Sequence, residues 1–206
     1  VIDLPGHGES VKDIKEPILD AFNQAVTNVI NDQNIEQFTL VIINHHGSLS
    51  QFINENNDCI NHLILIEPWF VDKAFIEEYK EKGLPDIKKE WHGGHLNQYW
   101  YIVRDSRLFW PWYNSVIDGI MDLRPQLDEN QLQDEVTELI RSESNWISAM
   151  IGSLNASTNM EIDVKTTVCY RKNHPLSQSP NQKNNFSKLQ LDDEIKNWSK
   201  NLKTIV

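Results

Sequence analysis

Phe38-Thr-Leu-Val-Ile-Ile-Asn-His-His-Gly-Ser48 decides the fold. Its first six residues are a short, β-branched, apolar run, the pattern of a strand buried on both faces. The run goes straight into a turn containing Gly47, and Gly47 to Asn56 then reads as helix. Next comes His62-Leu-Ile-Leu-Ile-Glu67, a second buried strand. Upstream, Pro17 stands at a favourable first helical position. Ile18, Ala21, Phe22, Ala25, Val26, Val29 and Ile30 follow at helical spacing. Val1-Ile-Asp-Leu4 reads as the end of another strand, entering the turn Pro5-Gly-His-Gly8. Strands alternating with helices at these intervals predict parallel pairing through right-handed crossover helices.

The middle of the chain changes character. The segment from Trp69 to Tyr113 holds most of the aromatic side chains, including Trp69, Trp91, Trp100, Trp110 and Trp112. Leu132, Val136, Leu139, Ile140, Trp146, Ile147 and Met150 then mark one long amphipathic helix. Thr166 to Arg171 returns to strand character. Lys172 to Lys188, rich in Asn, Ser, Gln and Pro, reads as a loop. Leu191, Ile195, Trp198 and Leu202 give a last helical face, with acids at its start and lysines at its end. The parse is a core over 1–68, an aromatic-rich helical insertion over 69–159, and a return to the core over 160–206.

Composition narrows the function. The 206 residues carry 19 Lys and Arg against 30 Asp and Glu, a formal charge of -11. Nucleic-acid binding is therefore not expected, because phosphate attraction needs clustered cations. No run approaches the roughly 20 apolar residues that span a bilayer, so no membrane partner is expected. Cys59 and Cys169 form no metal-type pair and suit a reducing cytosol, which predicts a cytoplasmic protein. His92 and His95 are three apart, but Gly93 and Gly94 between them argue against a rigid helical pair. With no third ligand singled out, neither metal nor cofactor is expected. The expected partner is a small molecule, and oligomerisation stays open.

The opening Val1-Ile-Asp-Leu-Pro-Gly-His-Gly-Glu-Ser10 resembles the strand-and-turn signature of the α/β-hydrolase superfamily. Val41-Ile-Ile-Asn-His-His-Gly-Ser48 lies where that superfamily places its nucleophile elbow, a strand-to-helix turn of pattern Gly-x-Ser-x-Gly. Gly94-His-Leu96, Trp100, Arg104-Asp105 and Leu108 to Tyr113 resemble the cap of its small-molecule hydrolase branch. The resemblance implies a three-layer α/β core, a parallel sheet with an inserted helical cap, clipped at both ends. Early strands with an oxyanion-hole loop would precede Val1, and a strand leading to a catalytic histidine would begin near Leu202.

Aligning the elbow puts Asn44 at the first glycine, His46 at the nucleophile and Ser48 at the last glycine. An imidazole cannot form the acyl-serine ester, so His46 is expected as a base, an unusual nucleophile, an orienter of water, or a packed relict. Its neighbour His45 is a further candidate, although adjacent turn residues point apart, which argues against a shared metal. Ser48 or Ser50 would be displaced nucleophiles if they do not cap the following helix. In resembling proteins the acid follows one of two late strands. Glu67 and Asp72 follow the earlier one here, and His174 stands at the later position. Trp69, His95, Trp100, Arg104, Trp110 and Trp112 are the expected pocket residues. Two functions remain: a capped hydrolase acting on a small, rather apolar ester, amide or related substrate, or a non-catalytic binder with the same pocket.

Overall fold

The computed structural model describes residues 3–121, 127–172, 174–178, 186–192 and 197–203. Helix α1 (Ile18–Asp32) precedes strand β1 (Phe38–Ile43), a 3-10 turn (His46–Leu49) and α2 (Ser50–Glu55). Strand β2 (Ile60–Ile66) leads into the insertion, where α3 (Lys73–Lys82), α4 (Gly94–Asp105), α5 (Glu129–Arg141) and α6 (Asn145–Asn159) lie. The chain returns through β3 (Thr166–Arg171), β4 (Ser187–Leu191) and α7 (Trp198–Leu202).

The four strands form one sheet in the order β1-β2-β3-β4, and each neighbouring pair is parallel. Val41 lies beside Ile64, and Ile66 beside Cys169. Alternation along β2 sorts the core. Leu63 and Leu65 join the large cluster with Phe52, Ile76, Tyr99 and Leu154, under α2 and the insertion. Ile64 and Ile66 face the other way, with Cys169, Leu191 and Trp198 beneath α7. Helices thus cover both faces, which is the three-layer α/β architecture. On the α7 side, β1 is left open: Val41 is 45% and Ile43 57% exposed.

Four expectations change. The single amphipathic helix is two helices, α5 and α6, because Glu143 adopts a left-handed backbone (φ 52°) and the Ser142 hydroxyl donates to the Leu139 carbonyl. Apolar spacing runs through that break, so periodicity alone conceals it. Ser187 and Lys188 open a strand rather than close a loop. Leu191 belongs to β4, not to the last helix, because Leu189 and Leu191 alternate onto the face that Trp198 covers. Helix α2 is shorter than expected, since its first turn is 3-10. Of the strand end expected over Val1–Leu4, residues 1 and 2 lie outside the described residues and Asp3 and Leu4 carry no strand; Ile195 and the strand expected near Leu202 fall wholly or partly outside them.

Gly47 fixes the layer above the elbow. A Cβ there would lie 2.0 Å from the Ser153 carbonyl oxygen, so its absence lets α6 rest directly on the turn after β1. No helix among the described residues is long and apolar enough to cross a membrane.

Candidate functional site

Strand β1 is followed by Asn44, whose backbone is left-handed (φ 62°) and whose N–H donates to the Ile66 carbonyl at 2.7 Å. Asparagine is among the few non-glycine residues that occupy this region readily. The chain then reverses into the 3-10 turn, with His46 N–H donating to the Asn44 carbonyl and Ser48 N–H to the His45 carbonyl. A sharp strand-to-helix turn with a strained residue at its tip is the geometry of a nucleophile elbow. The strained residue is Asn44, so the tip lies two positions before His46.

That shift separates the two histidines. His46 is 1% exposed, its ring 4.7 Å from that of Phe70, and neither ring nitrogen has a hydrogen-bond partner. It borders a separate cavity of about 330 Å³ with Val71, Ser157 and Met160, instead of facing Trp69, Trp110 and Trp112. Burial pulls its pKa down to about 4, so the imidazole is neutral. His45 takes the other side, its ring edge-on to Trp69 at 4.8 Å. Burial lowers it to about 4 as well. The Ser48 hydroxyl donates to the His45 carbonyl, and the Ser153 hydroxyl reaches the same oxygen at 3.2 Å.

Glu67 follows β2 with a second left-handed backbone (φ 49°), its N–H donating to the Cys169 carbonyl. Its carboxylate is buried and takes two bonds from Arg171, Nε to Oε1 at 2.5 Å and Nη2 to Oε2 at 2.7 Å. The fork-to-carboxylate match makes this a strong charge-assisted pair. His174 stands behind it, with Nε2 3.7 Å from Glu67 Oε2. The Leu176 N–H donates to His174 Nδ1 at 3.2 Å, which places the neutral ring's proton on Nε2, towards the carboxylate. Burial lowers the His174 pKa, and Glu67 opposes that shift.

Asn44, Glu67, Arg171 and His174 thus gather at the carboxyl ends of three adjacent parallel strands, where open α/β sheets present ligand crevices. All four line one cavity of about 300 Å³. The insertion roofs it. Trp69 and Trp110 meet edge-to-face at 4.5 Å, and Trp112 is held by Nε1–H donation to the Gly83 carbonyl at 3.0 Å. Of the expected pocket residues, Trp69, Trp110 and Trp112 line this cavity, whereas His95, Trp100 and Arg104 do not. His95 accepts from the Glu90 N–H at 3.1 Å and borders another cavity with Tyr99. Trp100 packs against the main core. Arg104 pairs with Asp105 at 2.7 Å and lies over the Tyr101 ring. Trp91 is 98% exposed and cannot serve as a wall.

Asn44 and Arg171 are the site residues that sequence reasoning did not single out. An asparagine directly after a β-branched run is the available signal for the first. The second needed the β2–β3 register. Asp72 turns its side chain to the Phe75 N–H and caps α3. Among the described residues, no group of three His, Cys, Asp or Glu side chains is placed to hold a metal.

No protein-family model matches the chain, and no curated protein matches it by sequence. Solved structures do match. An α/β-hydrolase enzyme, MGS-M2, from a Medee basin deep-sea metagenome library superposes with a TM-score of 0.60 at 15% identity, over 93% of this chain and 70% of its own. Epoxide hydrolase A from Mycobacterium thermoresistibile gives 0.58 at 11% identity, over 92% and 73%. A bromoperoxidase from Bacillus anthracis gives 0.56 at 11%, over 93% and 72%. The chain has the α/β-hydrolase fold.

Proposed function

We propose that this α/β-hydrolase-like chain binds a small, uncharged molecule beneath its cap, and that it does so without forming an acyl-enzyme. The observation that carries this reading is Asn44 at the strained tip of the elbow. A carboxamide is not a nucleophile at neutral pH, whereas the elbow's chemistry rests on a hydroxyl, thiol or carboxylate held at that tip. The other polar groups are committed elsewhere. Glu67 is held by Arg171, and the Nδ1 lone pair of His174 is occupied by the Leu176 N–H. What remains is an aromatic-walled cavity with a few fixed polar groups, the usual make-up of a small-molecule site.

A second reading keeps hydrolysis, with water rather than a side chain attacking an ester or amide. Its support is His45, which lines the cavity and stays unprotonated well below neutral pH, so its lone pair is available to a water. Titrating the protein with methyl butanoate, followed by tryptophan fluorescence, tests the first reading. Saturable binding, weakened at least tenfold by Trp110→Ala with the ester recovered intact, is the expected result. Turnover abolished by His45→Phe would establish the second reading in its place.

A further inference from the structure

The cavity beneath the cap does not end at its own walls. A larger cavity of about 680 Å³ lies beside it, bounded by the first turn (Leu4, His7), Phe22 of α1, and the facing sides of α5 and α6. The two share His45, Val103, Glu135, Leu139, Trp146 and Met150 as lining residues, so they are adjoining chambers that meet along these side chains. Their chemistry differs. Leu4, Phe22, Leu139, Ala149 and Met150 make the outer chamber mainly apolar, while Asn44, Glu67, Arg171 and His174 sit at the base of the inner one.

From this pairing we infer that the ligand is an elongated neutral amphiphile, with its acceptor-bearing head in the inner chamber and an unbranched alkyl chain in the outer one. The inference rests on the reading of the inner cavity as a ligand site. Trp146 identifies the head. It lines both chambers, is 9% exposed, and its Nε1–H has no hydrogen-bond partner. A buried donor without an acceptor is costly, and a carbonyl or ether oxygen would satisfy it. Charge excludes an anionic head. Among the described residues no lysine or arginine lines the outer chamber, and Arg171, which lines the inner one, is already held by Glu67. Around the outer chamber Glu135 is paired with Arg107 and Glu138 with Arg141, so Asp3 and Asp134 supply the negative charge that disfavours a carboxylate there. The ligand class is therefore a medium- or long-chain ester, amide or ether, not a free fatty acid.

Isothermal titration of the whole chain with the methyl esters of butanoate, hexanoate, octanoate and decanoate, and with decanoate itself, tests this. Each buried methylene should tighten binding about fourfold, and decanoate should bind at least tenfold more weakly than its methyl ester. Ala149 lines the outer chamber alone, so Ala149→Trp should flatten the chain-length dependence and leave methyl butanoate affinity unchanged. Methyl butanoate binding with no gain for longer esters would overturn the two-chamber inference and spare the inner site. An undiminished gain in the Ala149→Trp variant would also overturn it. Failure of every ester to bind would remove the inner site, and this inference with it.

Discussion

Glu67 and Arg171 meet across the ends of two adjacent parallel strands in a two-bonded ion pair, at 2.5 and 2.7 Å. The register makes this possible: Ile66 lies opposite Cys169, which brings the residue after β2 alongside the last residues of β3. The left-handed backbone at Glu67 turns its carboxylate into that gap. Arg171 is also held over the Trp198 ring at 5.9 Å, which links the pair to the layer on the opposite side of the sheet. The pair forms the floor of the inner chamber and fixes the spacing of β2 and β3 at their carboxyl ends.

Removing one partner should therefore cost stability. Glu67→Gln leaves a largely buried guanidinium without its counter-charge, and the expected loss is about 2–4 kcal/mol, the lower end reflecting partial exposure of Arg171. Urea unfolding of the two proteins at neutral pH measures it. An unchanged midpoint would mean that water satisfies Arg171 as well as Glu67 does.

The elbow predicts a steric effect at Gly47. A methyl group there meets the Ser153 carbonyl oxygen at 2.0 Å and the Ser157 nitrogen at 2.9 Å, both of them backbone atoms that side-chain rotation cannot move. Gly47→Ala should destabilise by about 1–3 kcal/mol through forced displacement of α6. A thermal melt indistinguishable from the parent would show that α6 does not rest on the turn.

Acid should weaken the fold over a defined window. His45 and His46 titrate near 4 in the folded chain, and near the ordinary 6.5 once unfolded. Between those values the unfolded chain binds protons that the folded chain refuses, so stability is complete above about pH 6.5 and falls towards pH 4. Burial shifts His174 in the same direction. Unfolding free energies at pH 7.5, 6 and 5 should decline in that order, and His46→Leu should reduce the slope. A slope that His46→Leu leaves unaltered would remove His46 from this account.

Much of the architecture was legible because it follows from short-range pattern. The β-branched runs at Phe38–Ile43 and Thr166–Arg171 read as strands and their intervals demanded parallel pairing, but the first, expected to be central and buried, leaves Val41 and Ile43 exposed on one face. The elbow's tip was harder. A residue motif locates the turn, but the strained position depends on backbone dihedrals, and those fell on Asn44 instead of His46. The roof was half legible. Trp69, Trp110 and Trp112 line the inner cavity, yet aromatic density carries no direction, and Trp91 and Trp100 do not line it. Strand β4 was concealed by the polar sequence around it, since only Leu189 and Leu191 face the core.

Among the described residues strand β1 lies at one edge of the sheet, with Val41 and Ile43 exposed on one face, and such an edge invites association. Sedimentation should show concentration-dependent self-association, reduced in the Val41→Lys, Ile43→Lys double variant without loss of thermal stability. A parent chain that stays monomeric at every concentration would contradict this.

With Asn44 at the tip of the turn after β1, no side chain there is expected to form a covalent acyl or phosphonyl adduct. Intact-mass measurement after incubation with a fluorophosphonate probe tests it most directly. The mass should remain that of the unmodified chain. A stoichiometric adduct, mapped by peptide sequencing to Ser48 or Ser50, would show that a hydroxyl has taken over the nucleophile's role and would contradict the account.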